Sequence, residues 1–263
     1  YATTLNNFSA PSLVAEAIGA SGPTFAISTA CSSSAKVFAA AARLMRAGWI
    51  DAAVVGGVDS LCLTTLCGFS ALELLSREPC RPFDRARQGI SIGEGAGFAL
   101  LERSGDAPVH FLGAGESSDA HHMSTPHPEG LGARLAMSGA LDSAGLTPGA
   151  VDYINLHGTA TRANDLAEGR AVADLFGDTA SSSTKGWFGH LLGAAGIVES
   201  VVTMLALEHR FLPGTLHTTD LDPDCANMVL IDNDARAIDV ALTNSFGFGG
   251  SNCSVIFGRG AMR

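Results

Sequence analysis

Cys31, His157 and His190 are the side chains whose types and settings point to nucleophilic chemistry. Cys31 stands between the apolar run TFAIST at 24–29 and a small-residue segment that opens SSSAKVF. A cysteine at a strand-to-helix junction meets main-chain amides and the positive end of the helix macrodipole, and both stabilise a thiolate. No dedicated base stands beside it in the sequence. His157 follows DYINL and precedes Gly158 and Thr159, where a strand opens into a loop. His190 is expected at the head of a long helix, where the dipole keeps the imidazole neutral and able to donate from Nε2. A single cysteine or histidine is ordinarily a satisfied structural residue. One cysteine and two histidines at element ends supply a nucleophile and two electrophilic donors.

Two further groups bear on that chemistry. Lys185 and Glu199 read as a buried lysine and carboxylate that offset each other's desolvation, either as a structural ion pair or as a pair that tunes the adjacent histidine. Gly247-Phe248-Gly249-Gly250 follows a strand, and its glycines let main-chain amides approach a developing oxyanion. It is a poor phosphate loop, because no Gly-Lys-Ser follows. GEGAG at 93–97 reads as a tight turn into a strand. His121, His122 and His127 match no metal spacing and, with Pro126 among them, read as loop structure.

Strands are expected at 24–29, 52–58, 97–102, 109–114, 151–156, 181–184, 238–244 and 252–257. Helices are expected at 32–47, 130–144, 164–176 and 189–209. Alternation of this kind argues for an α/β fold with helices covering sheets on both faces. The segments around Cys31 and His190 each run from a strand through a small-residue turn into a buried helix. This faint echo suggests two related halves, 1–105 with the nucleophile and 106–263 with the histidines and the glycine loop. The first half then reads as short at its N-terminus.

Composition narrows the classes of function. With 263 residues, 46% hydrophobic and 16% charged, the chain has the makings of a large core. A net charge of −10 opposes general binding to nucleic acid. The six cysteines include no CxxC and no zinc-finger spacing with histidine, so they read as reduced thiols of a cytoplasmic protein. Residues 1–11 lack a basic segment ahead of an apolar one, so no signal peptide is expected. The apolar run at 191–207 carries Glu199 in its middle, which suits a buried core helix with an internal partner better than a membrane span.

The motifs TACSSS (29–34), RPFD (81–84), GEGAG (93–97), HGTATRANDLAE (157–168), STKGWFGHLLGAAG (183–196) and NSFGFGGSN (244–252) occur in this order. Together they resemble the elongating β-ketoacyl-[acyl carrier protein] synthases along nearly the whole chain. The resemblance implies a thiolase-like duplicated layered α-β-α-β-α architecture, from which the N-terminal part of the first half is absent here. It implies that Cys31 takes the acyl chain as a thioester, and that His157 and His190 bind the malonyl thioester carbonyl during decarboxylation. Lys185 matches the family's active-site lysine and Glu199 its carboxylate partner. Phe248 matches the gate residue, whose amide forms an oxyanion hole with that of Cys31. Thr159 and Thr161 match residues that contact the phosphopantetheine arm.

The implied reaction is decarboxylative Claisen condensation of an acyl thioester with malonyl-[acyl carrier protein], in fatty acid or related polyene or polyketide synthesis. The implied partners are acyl carrier protein and a second subunit, in a homodimer or a heterodimer. No cofactor, metal, nucleic acid or membrane is implied. Arg162 stands where the family commonly has proline. Two alternatives come from other classes. A non-catalytic chain-length or scaffold subunit typically lacks the nucleophile, which this chain has. A cysteine hydrolase needs one histidine base and leaves the threonines and the Lys185/Glu199 pair without a role.

Overall fold

The computed structural model describes residues 6–225 and 229–260; the polar opening at 1–5 lies outside them. Five strands form a mixed sheet in the order β3-β7-β6-β4-β5. They are β3 (Val109–Ser118), β4 (Tyr153–Asn155), β5 (Ala180–Ser182), β6 (Val240–Gly247) and β7 (Ser251–Arg259). β4 runs parallel to β5 and β6, setting Asn155 opposite Ser182 and Thr243, while β3, β7 and β6 pair antiparallel. Residues on both faces of β6 are buried, which requires cover on both sides.

That cover comes from two helix pairs. On one face, α4 (Leu131–Ala144) and α5 (Arg162–Phe176) pack Met137, Val172 and Phe176 against Ile154, Leu156 and Ile256. On the other, α2 (Ser33–Arg46) and α7 (Ala195–His209) pack Phe38, Ile197 and Leu207 against Tyr153, Val255 and Phe257. The two helices cross closely at Gly196, where a Cβ would stand 2.4 Å from the Ala35 amide nitrogen. Any larger residue there would separate Cys31's helix from that of Glu199.

Beyond α2 and α7 lies a second, two-stranded antiparallel sheet, β1 (Ala52–Asp59) and β2 (Gly95–Glu102). Ala53, Val55, Ala99 and Leu101 face the helices, and Val54, Val58, Phe98 and Leu100 are exposed on the other side. The described layers therefore run α, β, α, β. β1 is covered on one face only, because its sheet packs against helices on that face alone.

Three further differences from the sequence reading have physical causes. Residues 24–29 form no strand: the only pairing there is a bridge between Thr29 and Cys31, and a strand needs a ladder partner. The helix expected over 189–209 is broken. A short α6 (Lys185–Phe188) ends at Gly189, whose φ is +78°, and α7 begins only at Ala195. Between them His190 is drawn out of helical geometry, its N–H donating to Ser91 O (2.7 Å) and its carbonyl accepting from Gly93 N–H (3.1 Å). Finally, α1 (Ser9–Ile18) and α3 (Leu63–Ala71) were not anticipated. Neither buries a residue.

The one described helical stretch apolar and long enough to cross a membrane, Leu192–His209, buries Glu199 and packs that face on the core.

Candidate active site

Cys31 sits on a sharp turn that the neighbouring serines build. Ala30 takes a left-handed φ of +54°, a conformation unfavourable for a residue with a Cβ. Ser33 Oγ accepts from Thr29 N–H (2.8 Å) and donates to Ala30 O (2.5 Å), and Ser32 Oγ donates to Thr29 O (2.9 Å). These short bonds hold the turn and explain Ser32 and Ser33 locally, whereas Ser34 Oγ accepts from Ile197 N–H of α7 (2.9 Å). The helix that follows starts at Ser33, as anticipated to within a residue.

The sulfur's surroundings differ from the sequence expectation in two respects. Cys31 is 5% exposed, and burial pushes its thiol up to about 11. The Lys185 charge and the amides of Phe248 and Cys31 itself pull in the opposite direction without prevailing. Burial thus outweighs the helix terminus, and the resting sulfur is a thiol rather than a thiolate. A base does stand beside it: His190 Nε2 lies 3.0 Å from Sγ.

His190 is held in an extended link and not at a helix head. Its imidazole is kept neutral, well below the ordinary histidine range, by burial first and by the Lys185 charge second. The expected neutrality is present, with a cause other than the helix dipole. Its Nδ1 is buried and has no hydrogen-bond partner among the described residues. GEGAG contributes directly, since Gly93 donates to the His190 carbonyl and a Cβ there would strike Phe188 O at 2.2 Å.

His157 leaves the C-terminal end of β4, where main-chain direction changes at Gly158 (φ +36°). Its ring stands 5.3 Å from that of His190, nearly perpendicular to it, and 5.7 Å from Phe246. It too is held neutral, by burial, then Lys185, then His190. Lys185 Nζ lies 3.3 Å from His157 Nδ1 and also donates to the His157 carbonyl and to Glu199 Oε1. An ammonium only donates, so His157 Nδ1 accepts and its hydrogen sits on Nε2. The lysine therefore hydrogen-bonds to His157 and acts on His190, its neighbour in sequence, through its charge alone, because Gly189 turns the chain away before His190.

Lys185 and Glu199 are both fully buried. Burial pushes the Glu199 carboxyl up to about 7 against the opposing pull of Lys185. Thr159 and Thr161 hydroxyls meet at 2.9 Å, just ahead of α5. Phe248 follows β6, and its ring stacks on Phe69 of α3 with centroids 5.5 Å apart.

One carboxylate with no separate role in the sequence reading proves central to the geometry. Glu168 Oε1 accepts from His157 N–H (2.7 Å) and Asn244 Nδ2 (3.1 Å), and Oε2 accepts from Gly158 N–H (2.8 Å). It clamps the main chain that carries His157. Asp165, one turn earlier, accepts from Phe83 N–H and faces Arg87, tying RPFD to the same helix. The available signal was a pair of carboxylates at i and i+3 immediately after the HGT segment, on the inward face of a helix.

Cys31, His157 and His190 present donor atoms within 4.8 Å of one another, the only such described group with metal-ligand types. The Lys185 cation against His157 opposes a divalent ion there. The trio instead suits acyl chemistry, with a thiol, an imidazole able to take its proton, a second imidazole fixed as an N–H donor, and two amides aimed at the sulfur.

Comparison with known proteins agrees. Residues 2–107 match the beta-ketoacyl synthase N-terminal domain and residues 110–219 the beta-ketoacyl synthase C-terminal domain. The chain is 36% identical over 259 residues to 3-oxoacyl-[acyl-carrier-protein] synthase 2 of Staphylococcus aureus, covering 91% of this chain and 64% of that protein. It is 40% identical over 262 residues to the mitochondrial 3-oxoacyl-[acyl-carrier-protein] synthase of Arabidopsis thaliana, covering 91% and 57% respectively. The chain thus spans less than two thirds of the length of these curated relatives. Among solved structures, a ketosynthase in complex with its chain length factor from Xenorhabdus doucetiae superposes with a TM-score of 0.93 at 42% identity, covering 97% of this chain and 65% of that one. A beta-ketoacyl synthase from Burkholderia phymatum gives 0.84 at 32% identity, covering 89% and 61%. Two consecutive domain matches and these superpositions establish that the chain has the thiolase-like fold and belongs to the β-ketoacyl synthase family.

Proposed function

We propose that this chain carries out decarboxylative Claisen condensation, joining an acyl group held on Cys31 to malonyl-[acyl carrier protein] and releasing 3-oxoacyl-[acyl carrier protein]. The observation that carries the reading is the convergence of Cys31, His157 and His190 on one buried point. In the first step Sγ attacks the acyl thioester carbonyl, and the thiol proton passes to His190 Nε2 and on to the departing carrier sulfur. The amides of Cys31 and Phe248 receive the oxyanion.

In the second step the malonyl thioester oxygen accepts from Nε2–H of His157 and of His190. The carbon–carboxylate bond breaks, carbon dioxide leaves, and the electron pair is held as an enolate between two neutral donors. His157 is locked in the donor tautomer by Lys185. His190 accepts at Nε2 in the first step as its Nδ1–H tautomer and donates in the second as its Nε2–H tautomer, and Nδ1, unpartnered among the described residues, fixes neither form. In the third step the enolate carbon attacks the Cys31 acyl carbonyl, a carbon–carbon bond forms, and the sulfur leaves as a thiolate that takes one proton from solvent, the proton the whole reaction consumes.

Acyl carrier protein delivers both groups through its phosphopantetheine arm, which passes Thr159 and Thr161. The nucleophile half is 1–105 and the histidine half 106–263. A dimer, with a second copy or with a related subunit, is the working assembly, by analogy with the ketosynthase and chain length factor complexes. The retained thiol and paired imidazoles favour the catalytic subunit over a non-catalytic chain-length partner. The test is mass spectrometry of the purified protein after incubation with acyl carrier proteins bearing different chains, followed by malonyl carrier protein. An acyl adduct on Cys31, discharged as 3-oxoacyl product with carbon dioxide, is expected; the absence of any adduct overturns the reading.

A further inference from the structure

Cys31 is buried, and Phe248 joins its surroundings by two contacts: its main-chain amide lies against the sulfur and its ring stacks on Phe69. The two rings come from elements of very different character. Phe248 leads into Gly249 and Gly250, with φ of +80° and +73°, and a Cβ on Gly249 would meet nothing within 4 Å. The loop therefore has both the backbone freedom and the open space to swing. Among the described residues its far side is tethered by two main-chain bonds, Gly249 N–H to Met123 O (2.7 Å) and Asp119 N–H to Gly250 O (2.9 Å). Phe69 belongs to α3, a nine-residue helix with no buried residue, so this helix is lightly held. Phe69 itself is half-buried, and its stacked partner is Phe248.

We propose that Phe69 is the latch of the Cys31 site: its ring holds Phe248 in the closed position, and an acyl chain reaches the sulfur when the two rings part. The proposal rests on the reading of Cys31 as the acyl acceptor. Among the described residues Phe69 makes its ring contact with Phe248 and none with Cys31 or either histidine, so it is a positioning residue acting through Phe248. A stacked aromatic pair shifts an equilibrium by a factor of about 2 to 10 beyond the burial of its area. That is the range over which its loss should open the site.

The readout is the rate at which iodoacetamide alkylates Cys31, followed by mass spectrometry of the Cys31 peptide in the purified protein. Phe69→Leu keeps apolar volume and removes the ring, and should speed alkylation by about 2- to 10-fold. Phe69→Tyr preserves stacking and should leave the rate at the parent value. Phe248→Ala should speed it as well, and Phe69→Leu added to Phe248→Ala should give no further increase, because the latch has nothing left to hold. Parent rates in Phe69→Leu with an unchanged melting temperature overturn the latch, as do multiplicative effects in the double variant. If Phe69→Leu fails to fold, Phe69→Met is measured on the same terms. Acylation of the parent by acyl carrier protein is scored separately. Its failure removes the acyl-acceptor reading, while the alkylation series still reports whether Phe69 closes the site.

Discussion

His190 Nε2 lies 3.0 Å from the sulfur of Cys31, although 159 positions separate the two residues in the chain. This contact gives a buried thiol, held up at about 11, a route for its proton. It also assigns unequal duties to two histidines that look equivalent in sequence. His190 touches the nucleophile, whereas His157 touches Lys185.

Loss of each histidine should therefore separate the half-reactions unevenly. His157→Ala is expected to retain acyl transfer to Cys31 while malonyl decarboxylation falls by about 100- to 1000-fold, the usual cost of one oxyanion donor. His190→Ala should slow both, because the proton acceptor is lost as well as a donor. Rapid-quench measurement of acyl-enzyme formation, alongside release of labelled carbon dioxide, checks this. Equal behaviour of the two variants in both assays would refute the division of labour.

Cys31→Ser should abolish acyl-enzyme formation, since an alkoxide is far less accessible than a thiolate even with His190 at hand. The buried cysteines Cys80, Cys225 and Cys253 should remain unacylated in parent and variant alike. Intact-protein mass spectrometry decides the point, and undiminished acylation of the serine variant removes Cys31 from the reaction.

Lys185 and Glu199 offer a test of structure against mechanism. Glu199→Leu leaves a buried ammonium unpaired and should cost about 3 to 5 kcal/mol. Lys185→Met combined with Glu199→Leu removes both charges and should recover much of that loss. The double variant should nevertheless decarboxylate poorly, because His157 Nδ1 loses the donor that fixes its tautomer. Paired melting and decarboxylation assays check both parts, and full recovery of turnover would leave the pair a purely structural role.

Stability against pH should show two opposed contributions. The folded-state imidazoles of His157 and His190 sit well below the ordinary 6.5, so the unfolded chain binds more protons there, and their contribution is lost as pH falls below 6.5. Glu168 is pushed up by burial to about 7 from an ordinary 4.5, so its contribution is fully present below 4.5 and is lost as pH rises to 7. Between pH 4.5 and 6.5 the two oppose each other. Glu168→Gln should therefore steepen acid destabilisation, and His190→Asn should make it shallower. Melting temperatures across pH 4.5 to 7.5 test the signs, and a shift of both variants in one direction would contradict them.

The sequence by itself determined the local pieces of this protein. Small residues flanking Cys31 specified a tight turn into a helix, Gly145 ended α4 where expected, and alternating apolar runs marked six of the seven strands to within a few residues. The seventh, β1, was placed correctly in the chain, though only one of its faces is covered. The ordered motifs, from TACSSS to NSFGFGGSN, carried the family. All of these are encoded in neighbouring residues, whose spacing sets backbone geometry and exposure.

The electrostatics and the pairing of groups were decided only by the tertiary structure. Helix-terminus reasoning put a thiolate at Cys31 and placed His190 at the head of a helix, but complete burial governs both groups, and burial is a property of the assembled layers. Sequence adjacency left open whether Lys185 and Glu199 tune His190; the Lys185 charge does reach that ring, but the turn at Gly189 (φ +78°) delivers its hydrogen bond to His157. Glu168 passed without a role because its partners, the amides of His157 and Gly158 and the Asn244 side chain, converge on it only in the folded chain. Residues 24–29 have the composition of a strand and lack a neighbour to pair with, since a strand, unlike a helix, is completed by hydrogen bonds from elsewhere in the fold.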